Sequence, residues 1–568
     1  MGLVNGALQV GRSALLAYQS ALQVIGQNVT NAGTPSYVRQ TPVLSPYVGV
    51  ALPEGFMPGG GLTLSNLKRE VDSSLENRLR VATGNQASVL ARQQTLNRIE
   101  SVLNELSDTD LSTLFQSFFS AFGELQNTPH DEGVRGMVLA SAESLVSEIK
   151  RQREDVLRMR DELNVELGSL ARQVDRIASQ IAELNVQITA LESPGSGGAS
   201  ALRDQRDALL RELGELVQIQ VREQPDNSIN VYIGNDLFIA GGVNRGVTSD
   251  LVTTDNEPRV VVRFADNRQA VNLPGGRMAG IVTARDTDVM GHIQALNGLS
   301  AAIINEVNKV HAAGQGLTGY TSLTGAFDVD DPAAVLTAAG LALTPRNGSF
   351  VIHVTNTQAL PPTRVPTTIT VDLDGVGTDD SLATLVAKIN AVGNVSAEVT
   401  TDNRLRISAA SGHEITFGED SSNVLAALGI NVFFTGSNSS DLGINADLMS
   451  NLDLIAASRA HEAGDGGNAG SIAALANLSL ASLGRQSLLD YYNALASNVA
   501  VRGASARAGA DSADAIVQAL TAQRESLSGV SLDEEAISLM RFERAFQAAA
   551  RYTTTVNQLM QEVLSLVR

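Results

Sequence analysis

The 568-residue sequence predicts a multidomain, mainly α protein, with coiled-coil termini and a long-helix trunk, and with β and α+β domains inserted mid-chain. Three observations carry this. Apolar heptads occupy both extreme ends. A third heptad register runs through a long helical stretch nearer the middle. Between helical stretches the hydrophobic period changes to that of strands. A single core rarely grows past about 250–300 residues, so several domains are expected.

The N-terminal stripe is Leu8, Gly11, Leu15, Tyr18, Leu22, Ile25 and Val29, spaced alternately by three and four. Asn31 and Gly33 then stop the helix, and Pro35 forbids its continuation. Thr41 to Leu64 holds four prolines and three consecutive glycines, which predicts an extended connector or short strands. Helices are expected again near Ser65, the longest over Glu132 to Glu192. Within it Leu163, Leu167, Leu170, Val174, Ile177, Ile181, Leu184, Ile188 and Leu191 hold one register. A Pro/Gly-rich loop follows, then a helix over Leu202 to Leu216.

Val217 to Leu273 is rich in β-formers, as in Ile229-Asn-Val-Tyr-Ile233, and predicts a small β-domain closed by Pro274-Gly275-Gly276. A helix returns over about Val289 to Ala313. Leu317 to Gly436 then mixes strands (near Phe350, Thr368, Ser396 and Arg404) with a helix over Leu382 to Ile389, an α+β pattern. Beyond it the chain is expected to be helical from about Gly470 through Ser528.

The last stretch opens on a Ser531-x-x-Glu534 capping box. No Gly or Pro interrupts it. Its stripe is Leu539, Phe542, Phe546, Ala549, Thr553, Val556, Met560, Val563 and Val567, a 3.5-residue repeat that belongs to a supercoiled seam. Such a helix is roughly 55 Å long and needs a partner, for which the N-terminal stripe is the natural choice. The alternative is that each stripe packs on a globular core. The expected division is residues 1–40 with 531–568 as terminal coiled-coil helices, 41–219 with 276–316 and 440–530 as helical trunk, 220–275 as β-domain, and 317–439 as α+β insert.

Composition narrows the function. The formal net charge of -20 argues against a nucleic-acid binder and against docking on an anionic membrane. There is no Cys, hence no disulfide, thiolate metal site or Cys nucleophile. No run of about 18 apolar residues could span a membrane. The start lacks a basic region followed by an apolar one, so no cleaved secretory signal is expected.

The six histidines are scattered, and none has metal-ligand spacing with another. His413-Glu414 is expected in a turn after Ser411-Gly412. There is no nucleophile elbow and no phosphate loop. Asp372-Leu-Asp374-Gly-Val-Gly377-Thr-Asp379-Asp380 resembles half of a calcium loop but lacks the distal Glu, and is better read as a turn in which Thr378 or Asp380 caps the next helix. Phe115, Phe118, Phe119 and Phe122 sit at helical spacing and fit a trunk core, with Phe433 and Phe434 on the inner edge of the insert. No catalytic, cofactor or metal residue is assigned. The candidate functional residues are instead those of an assembly interface: Leu8, Leu15, Leu22, Ile25, Val29, Leu539, Phe542, Phe546, Val556, Met560 and Val563.

The run Asn28-x-x-Asn31-x-x-Thr34-Pro35-x-Tyr37-x-Arg39-Gln40 resembles the motif that flagellar rod, hook and hook-associated proteins share after their first helix, with Ser36 where that motif usually has Gly. Asp204-Gln205-Arg206-Asp207, Val307-Asn308-x-x-His311-x-x-Gly314, the segment from Gly466 to Leu475 and the final helix are similar to further segments of the FlgK family, in family order. The resemblance implies a structural protein at the hook–filament junction of the bacterial flagellum, with no enzymatic activity. It implies assembly with copies of itself in a ring or helical array, beside the hook protein and a second junction protein. Terminal helices would line the inner wall and the middle domains would face outward. It further implies export in the unfolded state without a cleaved signal, with a chaperone on the C-terminal region. Alternatives are another axial protein (hook or distal rod), an adhesin using the inserts, or a hydrolase in the α+β insert. The sequence offers neither an aromatic groove for the adhesin nor convergent carboxylates for the hydrolase.

Overall fold

The computed structural model describes residues 2–34, 37–47, 59–103, 110–192, 199–254, 257–460 and 464–566. Pro35 and Ser36 of the N-terminal motif lie outside them. In chain order the elements are α1 (Gly2–Thr30), β1 (Gln40–Tyr47), β2 (Gly61–Arg69), α2 (Ser73–Leu103), α3 (Leu111–Asn127), α4 (Glu132–Leu191) and α5 (Ser200–Leu216). Strands β3 (Ile219–Glu223), β4 (Ile229–Ile233), β5 (Asp236–Ala240), β6 (Val243–Asn244), β7 (Val247–Thr254) and β8 (Glu257–Phe264) follow, then α6 (Arg277–Thr283) and α7 (Met290–Ala312). The insert holds β9 (Ser322–Thr324), β10 (Gly348–Asn356), β11 (Thr363–Val371), α8 (Leu382–Asn390), β12 (Val395–Val399), β13 (Leu405–Ala409), β14 (His413–Gly418), α9 (Val424–Ala427) and β15 (Phe434–Thr435). Last come β16 (Gly443–Ile444), α10 (Ala446–Ser450), α11 (Gly467–Ala474), α12 (Leu488–Ser528) and α13 (Leu532–Leu566).

The chain divides into two compact units, each built from separate stretches. Unit 1 takes Met1–Gln94, Glu162–Ala284 and Ala504–Arg568, and unit 2 takes Thr95–Asp161 and Arg285–Gly503.

In unit 1 the Pro-rich connector is a β-hairpin. β1 and β2 pair antiparallel from Gln40↔Arg69 to Tyr47↔Gly61, with an irregularity at Val43/Leu44. Ser65 therefore lies in a strand, and the helix expected there starts only at Ser73. Asp72 caps it, its Oδ1 accepting from the N–H groups of Ser74 and Leu75. The α4 register is buried from Leu163 to Ile188, whereas Leu191 is exposed. In this unit α4 makes polar contacts with the β-domain rather than with helices alone. Asn185 Nδ2 donates to Ile229 O and Gly241 O, and Asn164 Oδ1 accepts from Val260 N–H. The β-domain is a four-stranded antiparallel sheet, β3-β4-β5-β6, beside the hairpin β7–β8. Gly276 closes it at φ 88°, where a Cβ would stand 2.6 Å from Leu216 O. Only glycine fits that approach.

In unit 2 the four phenylalanines of α3 are buried and form a core with Phe433 and Phe434. Phe118 lies 5.8 and 5.6 Å from those two rings, and Phe122 lies 5.6 Å from Phe433. Such contacts add about 0.5–1.5 kcal/mol per pair beyond area burial. The insert has two three-stranded sheets, β11-β10-β14 and β12-β13-β9. Three details correct the sequence expectation. His413 and Glu414 open strand β14 opposite Asn356 and Thr355, and are not a free turn. Ser381, not Thr378 or Asp380, caps α8, in a box with Thr384. The helical stretch expected from Gly470 is broken over 475–487 before α12 begins.

The family-like segments of this unit are clamps. Asn308 Nδ2 donates to Phe434 O, and its Oδ1 accepts from the N–H groups of Phe433 and Phe434. His311 Nε2 accepts from Ala456 N–H at 3.0 Å, so the ring proton sits on Nδ1 and is donated to Asn431 O at 2.8 Å. Asn468 Nδ2 donates to Ala456 O at 2.8 Å. Buried Arg135 donates to the carbonyls of Pro129, Leu452 and Ile455.

Candidate assembly site and its latch

The two terminal helices pair within unit 1. Ala21 and Ile25 of α1 and Phe542 of α13 form a buried cluster, with Tyr18, Leu22 and Leu44 packed against it. The Tyr18 and Phe542 rings are 6.4 Å apart. Further along, a Cβ on Gly11 would lie 2.3 Å from Thr553 Oγ1, so a seam position without a side chain lets the two helices approach closely. On α13 the buried positions Glu535, Phe542, Ala549 and Val556 recur every seven residues. Phe546 and Met560 are half-buried.

Leu22, at the edge of this seam, is half-buried, as are Leu8 and Leu15 further along α1. Val29, Leu539 and Val563 are exposed, and α13 also exposes Ile537, Met540, Tyr552 and Leu559. The single chain thus covers one side of its last helix and leaves apolar side chains on another.

Beside the seam lie polar contacts between residues far apart in the sequence, for which local sequence pattern gives no signal. Glu535 is 2 % exposed and sits at a seam position. Its carboxylate accepts from Asn28 Nδ2 at 3.0 Å and from Arg39 Nε at 2.8 Å. Asn28 Nδ2 also donates to Gln40 O, and its Oδ1 accepts from Gln40 N–H at 3.1 Å and from the Tyr37 hydroxyl at 2.8 Å. Glu534 does not complete a capping box; its carboxylate takes Arg39 Nη1 at 2.6 Å. Arg39 N–H donates to Ser528 O at the end of α12. So the motif after the first helix acts as a latch. It binds the end of α1 to the start of α13.

A second ion-pair cluster continues from the hairpin. Arg69, across the ladder from Gln40, reaches Asp207 at 2.7 Å and Asp204 at 3.0 Å on α5. Burial, with Asp204 and Glu535 nearby, pushes the Tyr37 hydroxyl up to about 12, so it stays a donor to Asn28. Glu76 joins α2 to α12 through Arg524 at 2.8 Å. The two family-like motifs of this unit, distant in sequence, therefore belong to one network.

The acidic run in the insert serves its own turn. Carboxylates of Asp372, Asp374 and Asp379 lie within 4.8 Å of one another. Asp374 accepts from Val376 N–H, Asp379 from Gly375 N–H, and Asp380 pairs with Lys388 at 2.6 Å.

Fold and latch together define a class: a helical structural protein whose two chain ends form one rod-like element carrying a motif of flagellar axial proteins. A family model for the flagellar hook-associated protein FlgK helical domain matches residues 96–326, and one for the flagellar basal body rod FlgEFG protein C-terminal region matches 521–566. The chain is 27% identical to flagellar hook-associated protein 1 of Escherichia coli over 99% of both chains, and 25% identical to that of Salmonella typhimurium over the same share. It is 24% identical to that of Bacillus subtilis over 98% of this chain and 97% of the relative. The fold resembles the solved flagellar hook junction protein FlgK of Burkholderia pseudomallei, with a TM-score of 0.50 and 15% identity, over 80% of this chain and all of that one. The chain is thus similar, over nearly its whole length, to flagellar hook-associated proteins of the FlgK family. Among the described residues no helix is long and apolar enough to cross a membrane.

Proposed function

We propose that this protein is the structural junction between the flagellar hook and filament, acting by assembly rather than by catalysis. The observation that carries the reading is the latched pair of terminal helices, which leaves apolar side chains of α13 uncovered in the single chain. Exposed apolar surface of this kind marks an interaction site. Heterologous contacts between copies build rings where the rotation closes and helical tubes where it does not. Leu539, Met560 and Val563, with Val29 and Leu8 of α1, contact neighbouring copies, while Ile25, Phe542 and Val556 hold the pair within each copy. The other partners are the hook protein on one side and a second junction protein on the other. The chain is exported unfolded, without a cleaved signal, with a chaperone on its C-terminal region. The trunk packs laterally, and the β-domain of residues 220–275 and the insert of 317–439 face outward. The test is deletion of the gene in the source bacterium. Electron micrographs should show hooks without filaments; intact filaments would refute the reading.

A further inference from the structure

Unit 1 contains a cleft of about 540 Å³ lined by Arg69, Arg80, Arg203, Arg206, Glu76 and Asp207 among others. The acids on its wall are already engaged. Asp207 pairs with Arg69 at 2.7 Å, Glu76 with Arg524 at 2.8 Å, and Glu192 and Glu223 with Arg203. Two cations are left over. Arg80 is 8 % exposed and Arg206 is 3 % exposed, and among the described residues neither makes an ion pair. Arg80 Nη2 donates to Asn77, and Arg206 Nη1 donates to Asn185 Oδ1 and Asn227 O. The Nε of each has no partner. Burial holds both guanidinium pKa values below the ordinary value, and the nearby carboxylates do not reverse this.

A buried charge without a counter-charge is unfavourable unless something supplies one. A planar guanidinium matches a carboxylate in geometry as well as charge. Each copy of the chain carries a net charge of -20, so a neighbouring copy brings a surplus of carboxylates. We propose that this cleft receives a carboxylate side chain from a second copy of the chain, and that Arg80 and Arg206 hold it. The proposal rests on the assembly reading above and names one of its contacts. It also gives Arg206 of the Asp204-Gln205-Arg206-Asp207 segment a role beyond its own unit.

Arg80→Gln is the test, because Arg80 has fewer ties within the chain than Arg206. The purified variant should melt at the wild-type temperature or above it, since a charge unpaired in the monomer has been removed. In cells where it replaces the wild type, the amount retained on isolated hook tips should fall at least tenfold. Unchanged retention would overturn the proposal. So would a melting temperature several degrees lower, which would show that the guanidinium is paired within its own chain. A photo-crosslinking residue in place of Lys68, whose side chain is 62% exposed on the cleft wall, identifies the occupant. An adduct of two copies is expected; an adduct with a different protein would overturn the assignment. Absence of the wild-type chain from hook tips would remove the assembly reading itself, and the proposal with it.

Discussion

Replacing Glu535 with Ala removes the acceptor at the centre of the latch. Glu535 is almost fully buried and accepts one bond from Asn28 and one from Arg39. A hydrogen bond to a charged group contributes about 1.5–3 kcal/mol. Breaking a fully buried ion pair costs about 3–5 kcal/mol, but that ceiling does not apply here. The Arg39 side chain is 24% exposed and keeps Glu534, and Asn28 keeps Gln40. The expected cost is therefore about 2–3 kcal/mol, and it falls on the seam rather than on the whole chain. In amide hydrogen exchange, α1 around Ala21–Ile25 and α13 around Phe542 should exchange roughly 30- to 150-fold faster, since 1.4 kcal/mol is a factor of ten. Amides of unit 2 should not change. Glu534→Ala is the control. Its side chain is 61% exposed, and it should cost under about 0.5 kcal/mol. Equal effects of the two substitutions, or no local acceleration in Glu535→Ala, would refute the latch.

Three further outcomes are expected. Burial lowers His292 and His311 from the usual 6.5 to about 4. The native state then favours neutral rings, so stability is full above pH 6.5 and declines as pH falls towards 4, by up to about 3 kcal/mol for each histidine at 1.36 kcal/mol per unit. Urea melts of unit 2 between pH 7 and 4 should show the decline, and a flat profile would contradict it. Gly11→Leu places a side chain against Thr553 and should cost about 1–3 kcal/mol through overpacking, read as faster proteolysis of α13; unchanged protection would show that the helices do not meet there. Replacing 323–420 with a short Gly/Ser linker should leave unit 2 folded, because loop closure costs little. Extending that replacement to Asn438 should unfold it, because Phe433 and Phe434 leave the α3 core and each Phe truncation costs about 3–5 kcal/mol. Equal circular dichroism of the two deletions would refute this boundary.

Periodicity made the long elements legible. The heptads of α1, α4 and α13 could be read because an apolar side chain every 3.5 residues has few other uses. The phenylalanines of α3 were legible for the same reason. Short strands were not. β1 and β2 hide among prolines, which Pro42 and Pro46 tolerate because the hairpin has only two strands. β14 was missed because its first residues, His413 and Glu414, are polar and its pairing with β10 is set by tertiary contact. At the candidate site the apolar half could be anticipated from Ile25 and Phe542. The polar half could not. Glu535 looks like one of three acids favouring a helix start, and nothing local shows that Asn28 will meet it. The one available signal was a motif whose polar residues had no stated task.

The latch also has a direction in time. Asn28 and Glu535 are separated by 507 residues, and nearly everything else in the molecule lies between them. Local pairs such as β1 with β2 can form early in the chain's emergence, but α1 cannot obtain its partner until the last stretch has arrived. A molecule that stops short of Glu535 would keep most of both units and still lack the seam, with Ile25 and Tyr18 left uncovered. The closed seam is therefore a record of synthesis: only a chain that has been made through Glu535 and Phe542 can display it.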